Sequence, residues 1–77
     1  MSETVVMHGF RKGSRVRWNR GTGIGMGVVT DRFERLVERT INGAKIARIG
    51  STHDPAYLIA LDDGGEILKL ESELTAL

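Results

Sequence analysis

Apolar and polar residues alternate along the chain in short stretches punctuated by glycine, a pattern that predicts strands rather than helices. In Arg15-Val16-Arg17-Trp18 the valine and the tryptophan fall on one side of an extended segment and both arginines on the other, so this is a half-buried strand. A second strand is expected from Gly27 through Val28 and Val29 to Phe33. Between Phe33 and Ile41 the period is ambiguous, because Phe33, Leu36, Val37 and Thr40 also fit a helical stripe. Asn42-Gly43, directly after Arg39-Thr40-Ile41, decides for a hairpin, since both residues of a tight two-residue turn need a left-handed backbone. Its arms are Val37 to Ile41 and Lys45 to Ile49. The most apolar run, Pro55 to Leu61, is too short for a typical helix and reads as a central strand, with proline tolerated at its first position. Asp62-Asp63-Gly64-Gly65 then turns the chain into Glu66 to Leu70, an antiparallel partner. Glu71 to Leu74 looks like one turn of 3₁₀ helix, with Leu74 and Leu77 closing the open end.

These segments predict an all-β fold, a small barrel of about five antiparallel strands ending in a 3₁₀ turn. At 77 residues the chain has apolar surface for one core only, so residues 10–77 are expected to form a single domain after a flexible N-terminal tail over 1–9. The absence of cysteine fits a reducing compartment and removes thiolate metal sites and cysteine nucleophiles. Met1 to His8 has neither the basic start nor the apolar run of a signal peptide or membrane span, so a cytoplasmic protein with no membrane role is expected.

The net charge of +1 conceals an uneven distribution: residues 1–20 carry +4, residues 21–48 carry +2 and residues 49–77 carry −5. In a small barrel the two ends can lie together and neutralise each other; alternatively, Arg11, Lys12, Arg15, Arg17 and Arg20 form a basic face for an anionic partner.

Catalytic and cofactor chemistry finds little support. The run Gly21-Thr22-Gly23-Ile24-Gly25-Met26-Gly27 has methionine where a dinucleotide loop needs its third glycine, and no Gly-Lys-Ser/Thr follows; a loop with positive φ angles and a mobile tip explains it more simply. His8 and His53 match no metal-ligand spacing, even with Asp54 or Glu3. Ser51, His53 and Asp54 lie too close along one loop to hold a hydrolytic relay, and Asp62, Asp63 and Glu66 lack the ligand spacing of a calcium loop. No catalytic, cofactor or metal residue is therefore assigned, and no small-molecule substrate is indicated.

Several of the residues just read recur together: Lys12-Gly13-Ser14-Arg15-Val16-Arg17-Trp18, a glycine-rich turn with Gly27-Val28-Val29, Thr40-Ile41-Asn42-Gly43, Ser51, Asp54-Pro55-Ala56-Tyr57-Leu58-Ile59, Asp63-Gly64, and Leu68-Lys69 followed by Ser72-Glu73-Leu74. From about Phe10 to Leu74 this resembles the Tudor-like domain family labelled hypervirulence-associated, short bacterial proteins of unknown function. The resemblance implies a Tudor-like variant of the SH3-like barrel. It supplies no catalytic or binding residue, and the label describes one lineage's phenotype rather than a shared chemistry.

A non-enzymatic binding module is thus the expected function, with a protein partner or self-association through a barrel edge or the hairpin as the leading partner. Nucleic acid is the alternative, its phosphates meeting Arg11, Lys12, Arg15, Arg17 and Arg20. An aromatic cage for a methylated cation would draw on Trp18 and Tyr57, although their alternation points both rings into the core.

Overall fold

The computed structural model describes residues 9–77. Its strands are β1 (Arg15–Arg20), β2 (Gly23–Phe33), β3 (Leu36–Ile41), β4 (Ala44–Ile49), β5 (Ala56–Leu61), β6 (Glu66–Leu70) and β7 (Thr75–Ala76), with a 3₁₀ turn at Glu71–Glu73. All pairings are antiparallel. Five strands make one sheet in the order β6-β5-β2-β1-β7, and β3 and β4 make a separate two-stranded ribbon. The expected all-β class and the 3₁₀ turn are therefore present. The expected five strands become seven, because the hairpin stands apart from the main sheet and Thr75–Ala76 adds to β1.

The main sheet is not closed by hydrogen bonds. Its edges, β6 and β7, are joined only along the chain through the 3₁₀ turn, an arrangement consistent with an SH3- or Tudor-like barrel left open at one seam. The expected flexible tail lies, up to His8, outside the described residues, as does the His8 considered for metal binding. Gly9 belongs to the packed part: its φ is +104° and a side chain there would strike the Tyr57 hydroxyl.

Asn42 and Gly43 have φ values of 52° and 79°, the two left-handed residues of a turn whose twist matches its strands. The turn fixes the register Ile41↔Ala44, Arg39↔Ile46, Val37↔Arg48, which puts these six residues on one face of the ribbon. The helical reading of Phe33 to Thr40 gives way to strand β3. In the glycine run, only Gly21 needs a positive φ, 55°. Strand β2 begins at Gly23 rather than Gly27, so most of the expected mobile loop is strand. Gly25 lies directly opposite Trp18, and a methyl group on it would collide with the indole, 2.6 Å from Cζ2. The glycine is there to let the ring lie flat across β2.

One extra residue organises the core. Val29 pairs with Ile59 and Asp31 with Leu58, so Thr30 bulges out of β2, its hydroxyl donating to the Leu58 carbonyl at 3.1 Å. Because strand side chains alternate with a period of two, this insertion sends Val29 and Phe33 to opposite faces of the sheet. Two buried clusters result. Val16, Trp18, Val29, Tyr57 and Ile59 fill the concave side, while Phe33, Val37, Ala56, Leu58 and Leu68 pack beneath the hairpin. Strand β5, contributing alternate residues to each, is buried on both faces, as a central strand should be.

The ends are tied by polar groups. Tyr57 is fully buried, and its hydroxyl accepts the Phe10 amide at 2.8 Å and a longer bond from Arg32 Nε at 3.4 Å while donating to Glu71 Oε1 at 3.4 Å. Asp54 accepts the Ser72 amide and hydroxyl at 2.8 and 2.9 Å, and Pro55 is buried with its carbonyl accepting the Glu71 amide at 2.8 Å. Asp54, Pro55 and Tyr57 thus hold the 3₁₀ turn and the N-terminal strand approach against the sheet. Leu74 packs on the concave cluster, but Leu77 is exposed and closes nothing.

Candidate functional site

The basic residues singled out in the sequence do not converge. Arg15 and Arg17 project from the outer face of β1, whereas Arg20, three residues on, falls by alternation on the side of Trp18, at the open mouth of the sheet. Arg11 and Lys12 sit in the exposed turn before β1, closed by hydrogen bonds between Arg11 and Ser14 at 3.0 and 3.1 Å. Arg15 is ion-paired with Asp62 at 2.9 Å, so the basic start and the acidic end do meet and neutralise each other locally. What is left is a scatter of separate cations.

Neither aromatic residue offers a ring face. Trp18 is 4% and Tyr57 0% exposed, and Phe10 covers Tyr57 edge-on with ring centroids 5.6 Å apart. Phe33 is taken as well, with Arg35 and Arg39 guanidinium carbons 5.3 and 5.2 Å from its centroid. Among the described residues, then, no open aromatic cage exists. Nor do any three His, Cys, Asp or Glu side chains among them come together to hold a metal ion, and no helix there is long and apolar enough to cross a membrane.

One concave feature was not visible from single motifs. A groove of about 670 Å³ runs where the inner face of the hairpin approaches β6, the open seam of the barrel. Its walls are Ile41 and Ile46 from the hairpin, Ile67 and Leu68 from β6, and Trp18 at the end, with Arg20, Arg48 and Lys69 opposed by Asp63 and Glu66 along the rim. The volume lies within the range of ligand-binding clefts, and the apolar lining with a few polar groups is their usual chemistry. The signal in the sequence was the two-residue turn, which places Val37, Ile41 and Ile46 on one side of the ribbon.

Main-chain geometry adds a second property. The Glu71 amide bonds to Pro55 and the Leu61 amide to Gly65, so the odd-numbered residues of β6 turn their main-chain groups toward β5. Those of Glu66, Leu68 and Leu70 point the other way. Glu73 Oε1 caps the Leu70 amide at 2.8 Å, while β6 is an edge with no strand beyond Glu66 and Leu68 among the described residues. Buried in the same seam are Trp18 Nε1 and Arg48 Nε, two atoms that can only donate and that no acceptor among the described residues reaches. A buried unpaired donor costs about 1–3 kcal/mol.

Arg48 comes within only 3.9 Å of Glu73. The Arg32 guanidinium is held more firmly in its charged form, first by its hydrogen bond to the Tyr57 hydroxyl and then by Glu34, and it belongs to the tied N-terminal end.

The comparisons with known proteins agree with this architecture. The family model described as the hypervirulence associated proteins TUDOR domain matches residues 13–74, and the chain belongs to that family. Neither the curated proteins nor the solved structures give a significant match. The match spans all of the residues that carry the resemblance except Lys12, and the structure shows several of them, Trp18, Asp54, Pro55 and Tyr57, engaged in holding the fold.

Proposed function

We propose that this member of the TUDOR-domain family is a non-catalytic module that binds an extended segment of a protein partner in the seam between the hairpin β3–β4 and β6. The observation that carries the reading is the groove along an unpaired strand edge: main-chain groups of exposed Glu66 offer hydrogen bonds, those of Leu68, 1% exposed, are reached once the hairpin shifts, and Ile41, Ile46 and Ile67 offer apolar pockets for alternate side chains. Tudor-like domains are in general binding modules rather than enzymes, which fits. The hairpin is a separate ribbon joined to the sheet by side-chain packing, so it can shift without breaking a ladder. Such a shift would let segment carbonyls reach Trp18 Nε1 and Arg48 Nε, both closed off at rest.

The test is a selection from a displayed library of random extended peptides, followed by amide chemical-shift mapping on the isotope-labelled protein. Expected are binders in the micromolar range whose shifts lie on β4 and β6 and whose affinity drops at least about tenfold in Ile46→Asp, while Arg15→Glu/Arg17→Glu binds normally. In parallel, labelled single- and double-stranded oligonucleotides are titrated at low salt. Tight oligonucleotide binding that falls steeply with salt and is lost in the double arginine variant, with no enriched peptide, would replace this reading by phosphate-backbone recognition.

A further inference from the structure

The outer face of the sheet carries a second pattern, which shares only Asp63 with the rim of the peptide groove. Met26 and Ile24 are 44% and 55% exposed, and with half-buried Val28 they form an apolar row along β2. The register places Arg15, Arg17 and Asn19 beside Val28, Met26 and Ile24 on one flank. On the other flank, Asp62 lies beside Met26, its amide 3.5 Å from the Met26 carbonyl, and Asp63 follows it around a shallow hollow that Ile24, Met26 and, from the end of β1, Arg20 also line, with no ion pair from Arg20 to either aspartate. The row is therefore bounded by positive charge on one side and negative charge on the other. Arg15 and Asp62 neutralise each other across it, but Arg17 and Asp63 have no ion-pair partner among the described residues.

We infer that this face is a docking surface for a second copy of the chain, related by a two-fold axis lying in the interface along β2. The charges select that axis. A two-fold running along the strand lays the apolar row on itself and exchanges the flanks, so Arg17 of each copy faces Asp63 of the other; a two-fold running across the strands would stack arginine on arginine. Sheets packed face to face with strands nearly aligned are a standard arrangement, and the same patch serves both copies, as a two-fold interface requires. A single small domain with a marginal core gains stability from such an association. The patch is small, so the dimer is weak and forms as concentration rises.

The experiment is sedimentation equilibrium of the full chain from about 1 µM to about 500 µM, a span that covers weak self-association. The wild type is expected to dimerise across it, Met26→Glu to stay monomeric, and Arg17→Glu and Asp63→Arg each to raise the dissociation constant about tenfold or more. The combined Arg17→Glu/Asp63→Arg protein is expected to recover most of the wild-type value, which general surface damage would not allow. Circular dichroism establishes that each variant is folded, and Met26→Gln, uncharged and still polar, stands in for Met26→Glu should that protein not fold. A wild type monomeric throughout overturns the inference, as does a dimer that survives Met26→Glu but is lost in Ile49→Glu on the hairpin, or a double charge exchange that restores nothing. Asp63 also lies on the rim of the peptide groove, so Ile46→Asp, which damages the groove alone, is run beside these variants and is expected to dimerise like the wild type.

Discussion

Adding a single methyl group at Gly25 tests the packing on which the concave core depends. Gly25 faces Trp18 across β1 and β2, and an alanine Cβ there would lie 2.6 Å from Cζ2 and closer still to the neighbouring indole atoms. The ring is 4% exposed and packed with Val16, Val29, Tyr57 and Ile59, so it can move toward the groove only by breaking contacts within that cluster. Forcing extra volume into such a site costs about 1–3 kcal/mol. Gly25 is not among the glycines with positive φ, so the backbone itself accepts alanine, and propensity alone would make the change mildly stabilising. For a domain of this size each kcal/mol moves the melting temperature by about 4–8 °C, so Gly25→Ala should melt roughly 5–20 °C lower by circular dichroism. Gly23→Ala is the internal control: its nearest neighbour would be the Arg20 carbonyl oxygen at 3.7 Å, and its stability should stay within about 0.5 kcal/mol of wild type. On a Trp18→Leu background, which removes the ring, the added cost of Gly25→Ala should fall by about 1 kcal/mol or more in a double-mutant cycle. Equal melting of Gly25→Ala and Gly23→Ala, or strictly additive effects with Trp18→Leu, would refute the claim that the glycine makes room for the indole.

Truncating the ring altogether, Trp18→Ala, should cost about 3–5 kcal/mol in urea unfolding, most of a small domain's stability, and an unchanged transition would return the ring to the list of binding groups. Tyr57→Phe leaves the Phe10 amide without its acceptor; we expect about 1–2 kcal/mol lost and faster hydrogen exchange at Phe10, and unchanged exchange there would show that the hydroxyl does not tie down the N-terminal end. Deleting Thr30, the extra residue, leaves Val29 and Phe33 three positions apart and so still on opposite faces, and should keep a native-like amide spectrum with changes confined to the neighbourhood of Leu58; inserting one further residue after Thr30 returns Phe33 to the face of Val29 and should abolish that spectrum, and a native-like spectrum from the insertion would refute this reading of the bulge.

Much of this architecture was legible because it is local. Alternation across Val16 and Trp18 placed both in the core, and Asn42-Gly43 fixed the hairpin and so overruled the helical stripe through Phe33 and Thr40. The bounded apolar run at Pro55 to Leu61 announced a strand buried on both faces. The glycine run misled, because positive φ and close approach of a distant ring both demand glycine, and only the partner strand says which. At Gly21 it is the former and at Gly25 the latter.

What stayed hidden depends on three-dimensional phase. Nothing in Val28-Val29-Thr30-Asp31 marks Thr30 as an inserted residue, since threonine is as comfortable in the ladder as out of it; the bulge follows from β5 offering apolar side chains on both faces, which β2 can serve only by changing phase midway. Once Phe33 has crossed to the other side, the hairpin must fold over it, and its inner residues Val37, Ile41 and Ile46 come to face Leu68 rather than a ladder partner. The groove is thus a consequence of the bulge: a ribbon held by side chains alone leaves the β6 edge unpaired, and the seam where the sheet fails to close is where a partner's segment fits. The same phase change accounts for the bare outer half of the sheet, because the hairpin covers only the part of that face beyond Thr30 and leaves Ile24 and Met26 on the near side exposed between their two flanks of charge.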